Sequence, residues 1–123
     1  MGSYDHIAGG FEALAYSFLL GAPWYYHELA EKSAEDIWDM LVEAKEENCM
    51  ISVGSYLGTG DDQDQNAVGI PYTHALSVLD IKTMNNTDGE EVQLVQIRNP
   101  WGSEYFNGTW SDVSDSWNHE LLK

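Results

Sequence analysis

Two β-type runs joined by a short turn constrain this chain more than any other feature. Tyr72 to Ile81 reads as a strand, and Met84 to Gly89 carries the turn composition Asn-Asn-Thr-Asp-Gly. Val92 to Arg98 reads as the returning strand. A return over so short a turn is antiparallel, so the head of the first strand lies beside the end of the second. The first run opens with Thr73-His74-Ala75-Leu76-Ser77-Val78, and the second ends in Arg98-Asn99-Pro100-Trp101-Gly102. Pro100 stops the pairing because it has no N–H to donate, and Gly102 permits a turn. The spacing is therefore consistent with His74 and Asn99 side chains in hydrogen-bond range.

Upstream, Gly9-Gly10 opens a helical pattern in which Phe11, Leu14, Ala15, Phe18 and Leu19 recur at helical spacing, and Gly21 and Pro23 end it. Trp24-Tyr25-Tyr26 then reads as an aromatic patch packed under that helix rather than as a ligand site. Ser33 is placed as an N-cap, with Glu35 and Asp36 in the first turn, where the helix dipole favours negative charge. Ile37, Trp38, Met40, Leu41 and Ala44 form the apolar face of this second helix, which runs to about Glu47 and stops at Asn48. Cys49 to Val53 reads as a buried strand, and Cys49 as a buried structural cysteine.

Gly58 to Asn66 reads as a flexible acidic loop. Its Asp62, Asp64 and Asn66 have the opening spacing of an EF-hand, but position six is Ala67 where glycine is needed and position twelve is Thr73 where glutamate is needed. The EF-hand reading is rejected. Past Trp110 the chain carries Asp112, Asp115, Trp117 and His119. Trp117 has little chain left to pack against it, so the sequence reads as ending before its fold is finished.

The 123 residues carry a formal charge of −16, from 21 acidic against 5 basic residues. That balance argues against a nucleic-acid partner, whose phosphates need clustered Lys and Arg, and against an anionic membrane surface. It suits a cation such as calcium, a basic partner segment, or solubility alone. No apolar run reaches the roughly 18 residues of a membrane span, and no basic, apolar leader precedes the first helix. The single cysteine rules out an internal disulfide and fits a reducing, cytoplasmic or otherwise intracellular compartment. In that setting the glycosylation-type triplets at Asn85 and Asn107 are read as chance. His6, His27 and His119 have no partner pattern and read as surface residues.

A His and an Asn at adjacent strand ends supply two thirds of a Cys-His-Asn site. There the histidine takes the thiol proton, and the amide oxygen accepts from the other ring nitrogen, fixing the tautomer without adding charge. The thiol is the missing member. Cys49 precedes Met50-Ile51 and has neither a glycine-rich approach nor a helix N-terminus to favour its thiolate.

Thr73-His74-Ala75-Leu76-Ser77-Val78 and Ile97-Arg98-Asn99-Pro100-Trp101-Gly102, followed by Gly108-Thr109-Trp110-Ser111-Asp112, resemble the second half of a calpain catalytic domain. Gly2-Ser3-Tyr4, Gly9-Gly10 and Leu20-Gly21 resemble the start of that half, so the likeness runs from Gly2 to Trp117. It implies an α+β fold: the β-rich second subdomain of a papain-like cysteine proteinase, with an antiparallel sheet or open barrel and two flanking helices. Residues 1–123 would then be the His/Asn subdomain, with the nucleophile-bearing subdomain absent. The resemblance implies a calcium-dependent cysteine endopeptidase acting on protein or peptide substrates, with His74 as general base and Asn99 as its orienting residue. Trp101 would be a wedge in the cleft between the two halves, and the loop around Asp61 to Asn66 would occupy the place of a cleft gate. The nucleophile-bearing half is the implied partner. Asp112 matches one calcium-ligand position of the family; a second falls on Tyr105, with Glu104 adjacent. The family usually has glycine where this chain has Thr73. The alternative is an inactive calpain-like binding or scaffold protein. On either reading the isolated chain is expected not to cleave peptide bonds and to expose an aromatic face prone to self-association.

Overall fold

A computed structural model describes residues 10–55, 64–103 and 105–117. The chain divides into two compact units, Met1–Trp38 and Asp39–Lys123. The described residues hold two helices, α1 (Glu12–Leu20) and α2 (Ala34–Glu46), a short 3-10 turn at Leu29–Glu31, and three strands, β1 (Ile51–Ser55), β2 (His74–Asn85) and β3 (Glu91–Arg98). This is the α+β composition expected of the fold. Among the described residues no helix is long and apolar enough to cross a membrane.

In the first unit, α1 ends as its sequence predicts. Gly21 adopts the left-handed region (φ +64°) and its N–H caps the Ser17 carbonyl at 2.9 Å. The expected burial does not follow. No residue of α1 is buried, and Phe18 and Leu19 are 89% and 75% exposed. The aromatic patch is corrected in the same way, since Trp24, Tyr25 and Tyr26 all stand exposed rather than packed under the helix. A nine-residue helix that is apolar nearly all round has more surface to bury than a unit of this size can cover.

The start of α2 is a reciprocal cap. The Ser33 hydroxyl oxygen accepts the Asp36 N–H at 3.1 Å, while the Asp36 carboxylate accepts from the Ser33 hydroxyl at 2.7 Å and from its N–H at 3.3 Å. These bonds, the hydroxyl's first, hold the Asp36 carboxyl below the usual aspartate range.

The C-terminal end of α2 belongs to the second unit. Asn48 turns left-handed (φ +56°), its N–H bonds the Lys45 carbonyl, and the Cys49 N–H reaches back to the Ala44 carbonyl at 2.8 Å. This Schellman arrangement claims Cys49 for the helix cap. The strand therefore begins at Ile51 instead of Cys49, and Cys49 is exposed, not buried.

The sheet has the order β1-β2-β3 and is antiparallel throughout. Ile51 to Ser55 pair with Val78 to His74, and β3 pairs along β2 from Ser77↔Arg98 to Asn85↔Glu91. A bulge leaves Leu79 unpaired between Val78 and Asp80. β2 runs four residues past the predicted Ile81, because the turn is set by Asn86, whose side-chain oxygen accepts the Asp88 and Glu90 N–H groups at 2.9 Å each. Ile81 is the buried apolar residue among those described. The end of α2 is tied to β2 beside it: Lys45 donates to the Ile81 carbonyl at 2.9 Å and pairs with Asp80.

The segment before β2 is more ordered than its composition suggests. Gln65 bridges Pro71, Tyr72 N–H bonds the Asp64 carbonyl, and the Asn66 side-chain oxygen accepts the Val68 and Ile70 N–H groups. Asp64 to Asn66 thus form one arm of a small hydrogen-bonded hairpin, while the rest of the predicted acidic loop, 58–63, lies outside the described residues. Beyond the sheet, Trp117 does find a partner. Its ring meets Trp110 edge to face at 5.0 Å and its indole N–H donates to the Ser111 carbonyl at 2.8 Å.

Candidate active site

β2 begins with His74 and β3 ends one residue before Asn99. Antiparallel pairing sets Ser77 opposite Arg98, so the chain ends beyond that pair converge. His74 Nε2 and Asn99 Oδ1 lie 2.9 Å apart. Both residues are half-buried.

The roles of the two atoms follow from a third group. Asn99 Oδ1 also accepts the Trp101 backbone N–H, at 3.1 Å. An N–H requires an oxygen, which fixes the amide orientation. That oxygen can only accept from His74, so Nε2 carries a proton, and in the neutral ring Nδ1 is the nitrogen with the free lone pair. The Gly102 N–H returns to the Asn99 carbonyl at 3.3 Å, and Gly102 takes φ +73°, so the Pro-Trp-Gly turn folds directly over the asparagine.

That turn lays Trp101 against the histidine. Their ring centroids are 4.3 Å apart at a 41° tilt, and Tyr105 meets Trp101 edge-on at 5.8 Å. The two arms flanking the pair are also joined. Asn107 N–H bonds the Val68 carbonyl at 3.0 Å, and Gly69 sits so close to residue 105 that a Cβ on it would fall 1.8 Å from the Tyr105 carbonyl oxygen. With φ +82°, Gly69 is the residue type this approach requires.

A proton-accepting nitrogen on a ring held by an amide oxygen is what a cysteine peptidase asks of its histidine. The model of the calpain family of cysteine proteases matches residues 1–121. This chain belongs to the calpain family. It is 31% identical over 120 residues to the calpain-1 catalytic subunit of Rattus norvegicus, covering 95% of this chain and 16% of that protein. It is 34% identical over 127 residues to the calpain-type cysteine protease DEK1 of Arabidopsis thaliana, and 32% identical over 127 residues to the calpain-type cysteine protease ADL1 of Oryza sativa subsp. japonica. Each match covers 98% of this chain and 6% of the relative. The chain thus spans a small part of the length of the relatives it matches.

The remaining residues singled out in this calpain sequence are scattered. Asp112 is exposed in a turn after the buried Ser111, and Glu104 lies outside the described residues. Among the described residues no three His, Cys, Asp or Glu side chains converge as a metal site would need. Cys49 is remote from His74 along the sheet. Ser55, at one end of β1, pairs with His74, while Ile51 at the other end pairs with Val78. Four strand steps at about 3.3 Å put roughly 13 Å between those ends, and Cys49 lies before Ile51.

The sequence reading missed two residues that shape the site, Ser55 and Gly69, and singled out a third, Thr73, without its conformation. Ser55 accepts the His74 N–H through its hydroxyl, at 3.2 Å. Gly69 joins the flanking arms. Thr73 adopts φ +49°. A left-handed β-branched residue costs about 1–3 kcal/mol. Only Thr73 carried a signal in the sequence, and that signal was the departure from glycine.

Proposed function

We propose that this chain supplies the general base and its orienting residue to a calpain-type cysteine endopeptidase whose nucleophilic thiol comes from outside residues 1–123. The observation that carries this reading is the 2.9 Å pairing of His74 Nε2 with Asn99 Oδ1, with Nδ1 left as a proton acceptor.

In the assembled enzyme, His74 Nδ1 takes the proton of the incoming thiol and forms a thiolate–imidazolium pair. The thiolate attacks the substrate carbonyl, His74 gives its proton to the departing amine, and an acyl-enzyme remains. Water, deprotonated by His74, then releases the acid and restores the thiol. Asn99 keeps the ring from rotating through these transfers. Trp101, lying on the ring, serves as the cleft wedge and screens the His–Asn bond from water. Calcium would here draw on Asp112 and on ligands outside the described residues, because those described do not form a coordination shell. The partner is the nucleophile-bearing subdomain, the substrates are extended peptides, and the compartment is the cytoplasm.

A second reading, a calpain-like binding protein without turnover, is favoured by the distance between Cys49 and His74. The decisive experiment is to isolate the native polypeptide that carries Arg98-Asn99-Pro100-Trp101 and measure its mass and sequence. A much larger protein with an upstream cysteine-tryptophan segment, losing peptide turnover on His74→Ala, fits the protease. A native product near 13.8 kDa with no turnover fits the binding protein. Peptide cleavage by the 123-residue chain itself, abolished by His74→Ala and by alkylation of Cys49, would overturn the claim that the nucleophile is external.

A further inference from the structure

We propose that Ser55 is a positioning residue for His74, acting through a hydroxyl clamp at the head of β2. The inference rests on the reading of His74 as the base and adds a residue to that site.

Ser55 is the last residue of β1 and stands opposite His74 in the sheet register. Its side chain meets the histidine amide. The hydroxyl oxygen accepts the His74 N–H at 3.2 Å, and its proton is donated to the Pro71 carbonyl, with the His74 carbonyl also 3.2 Å away. One hydroxyl therefore grips both ends of the Pro71–His74 segment. Pro71 is buried, and Ser55 and His74 are half-buried, so water has limited access to replace these bonds.

The segment needs such a grip. Thr73 lies inside it in the left-handed region, a conformation that a β-branched residue leaves when it is not held. Relaxation of Thr73 rotates the peptide that carries the His74 N–H and moves the His74 Cα. The imidazole then swings away from Asn99 Oδ1, and the preference for the Nε2–H tautomer goes with it. Ser55 touches neither substrate nor reacting atoms; it acts by fixing where the His74 ring starts.

The test is nitrogen-15 NMR of the His74 imidazole, with amide exchange, in the full 123-residue chain. The wild type is expected to show a protonated Nε2 and an unprotonated Nδ1, and an His74 amide that exchanges as slowly as amides in the β2–β3 pairing. Ser55→Ala should bring the two ring-nitrogen shifts toward a tautomer average and speed exchange of the His74 amide at least tenfold, with β2–β3 exchange unchanged. Ser55→Thr, which keeps the hydroxyl, should retain the wild-type pattern. Thr73→Gly should restore it in the Ser55→Ala background by removing the strain.

A Ser55→Ala chain that is folded and keeps the wild-type ring pattern overturns the proposal. Should Ser55→Ala lose the dispersed spectrum of a folded chain, the wild-type exchange decides. Protection of the His74 amide supports the clamp, and exchange as fast as in the Asn86–Gly89 turn refutes it. Asn99→Ala separates this inference from the one beneath it. If Asn99→Ala leaves the ring pattern alone, the His–Asn reading fails, and the clamp is then decided by the His74 amide: faster exchange in Ser55→Ala upholds it and unchanged exchange overturns it.

Discussion

The two units of this chain solve the same problem in opposite ways. Residues 10–38 present Phe11, Leu14, Phe18, Leu19, Tyr25 and Tyr26 to solvent and are ordered chiefly by local backbone bonds and caps. The unit from Asp39 onward buries little more, with Ile81 its buried apolar residue, yet it fixes His74, Asn99 and Trp101 to one another. It does so through hydrogen bonds between segments distant in sequence: Ser55 to Pro71 and His74, Val68 to Asn107, and Lys45 to Ile81. Polar cross-links with defined geometry can specify a site where apolar burial is thin. An apolar helix without such links is left with surface that invites association.

The largest effect expected from breaking this contrast is at Gly69. Gly69→Ala puts a methyl into the Tyr105 carbonyl and a side chain onto φ +82°. The strain and the forced backbone shift together should destabilise the second unit by about 3 kcal/mol. Thermal unfolding and the Trp101 fluorescence would register it. A wild-type melting curve would show that the arms are not locked at this point. Next is Ile81→Ala, which empties a buried apolar position in the sheet and should cost about 2–4 kcal/mol in urea unfolding. A loss below 1 kcal/mol would mean that the sheet is held by its polar links alone.

Phe18→Asp tests the other unit. Phe18 is 89% exposed, so its replacement should change the unfolding free energy by less than about 0.5 kcal/mol. Sedimentation equilibrium should instead show weaker self-association than in the wild type. A large loss of stability together with unchanged association would reverse the distinction drawn between the units.

The line between what was legible in the sequence and what was not falls along the same divide. The nearness of His74 and Asn99 was legible because a hairpin brings the head of its first strand beside the end of its second; the register itself was not, because the bulge at Leu79 shifts the pairing by one residue. The caps at Gly21, Ser33 and Asn48 were legible because each depends on one residue and its immediate neighbours. Burial was not. Periodicity in α1 and in Trp24-Tyr25-Tyr26 records that these side chains prefer apolar surroundings, not that this stretch of chain provides them. Cys49 was misplaced because a Schellman cap and an apolar strand both accept a cysteine after an asparagine, and only the Ala44 carbonyl decides between them. Ser55 and Gly69 act across 19 and 36 residues of sequence, and nothing local marks them.

The smallest effect concerns one aspartate in each unit, and salt separates the two. The Ser33 hydroxyl, then the Ser33 N–H, holds the Asp36 carboxyl below its usual range; Lys45, then the Ile81 N–H, does the same for Asp80. In both cases the folded pKa lies below the unfolded one, so over that window the unfolded chain binds more protons and stability rises with pH. The contribution is present above the ordinary aspartate value of about 3.9 and fades as pH falls through the lower folded value. Both residues are exposed, so the total is small. The causes differ, however. A hydrogen bond from a neutral hydroxyl is nearly indifferent to ionic strength, whereas the Lys45–Asp80 attraction is screened. Carbon-13 titration of the two carboxyls at low salt and at about 1 M salt should move the Asp80 midpoint upward toward the ordinary value and leave that of Asp36 in place. Equal shifts at both would mean that the cap of α2 depends on charge rather than on the Ser33 hydroxyl. No shift at Asp80 would mean that the Ile81 N–H, and not Lys45, governs the tie between helix and strand.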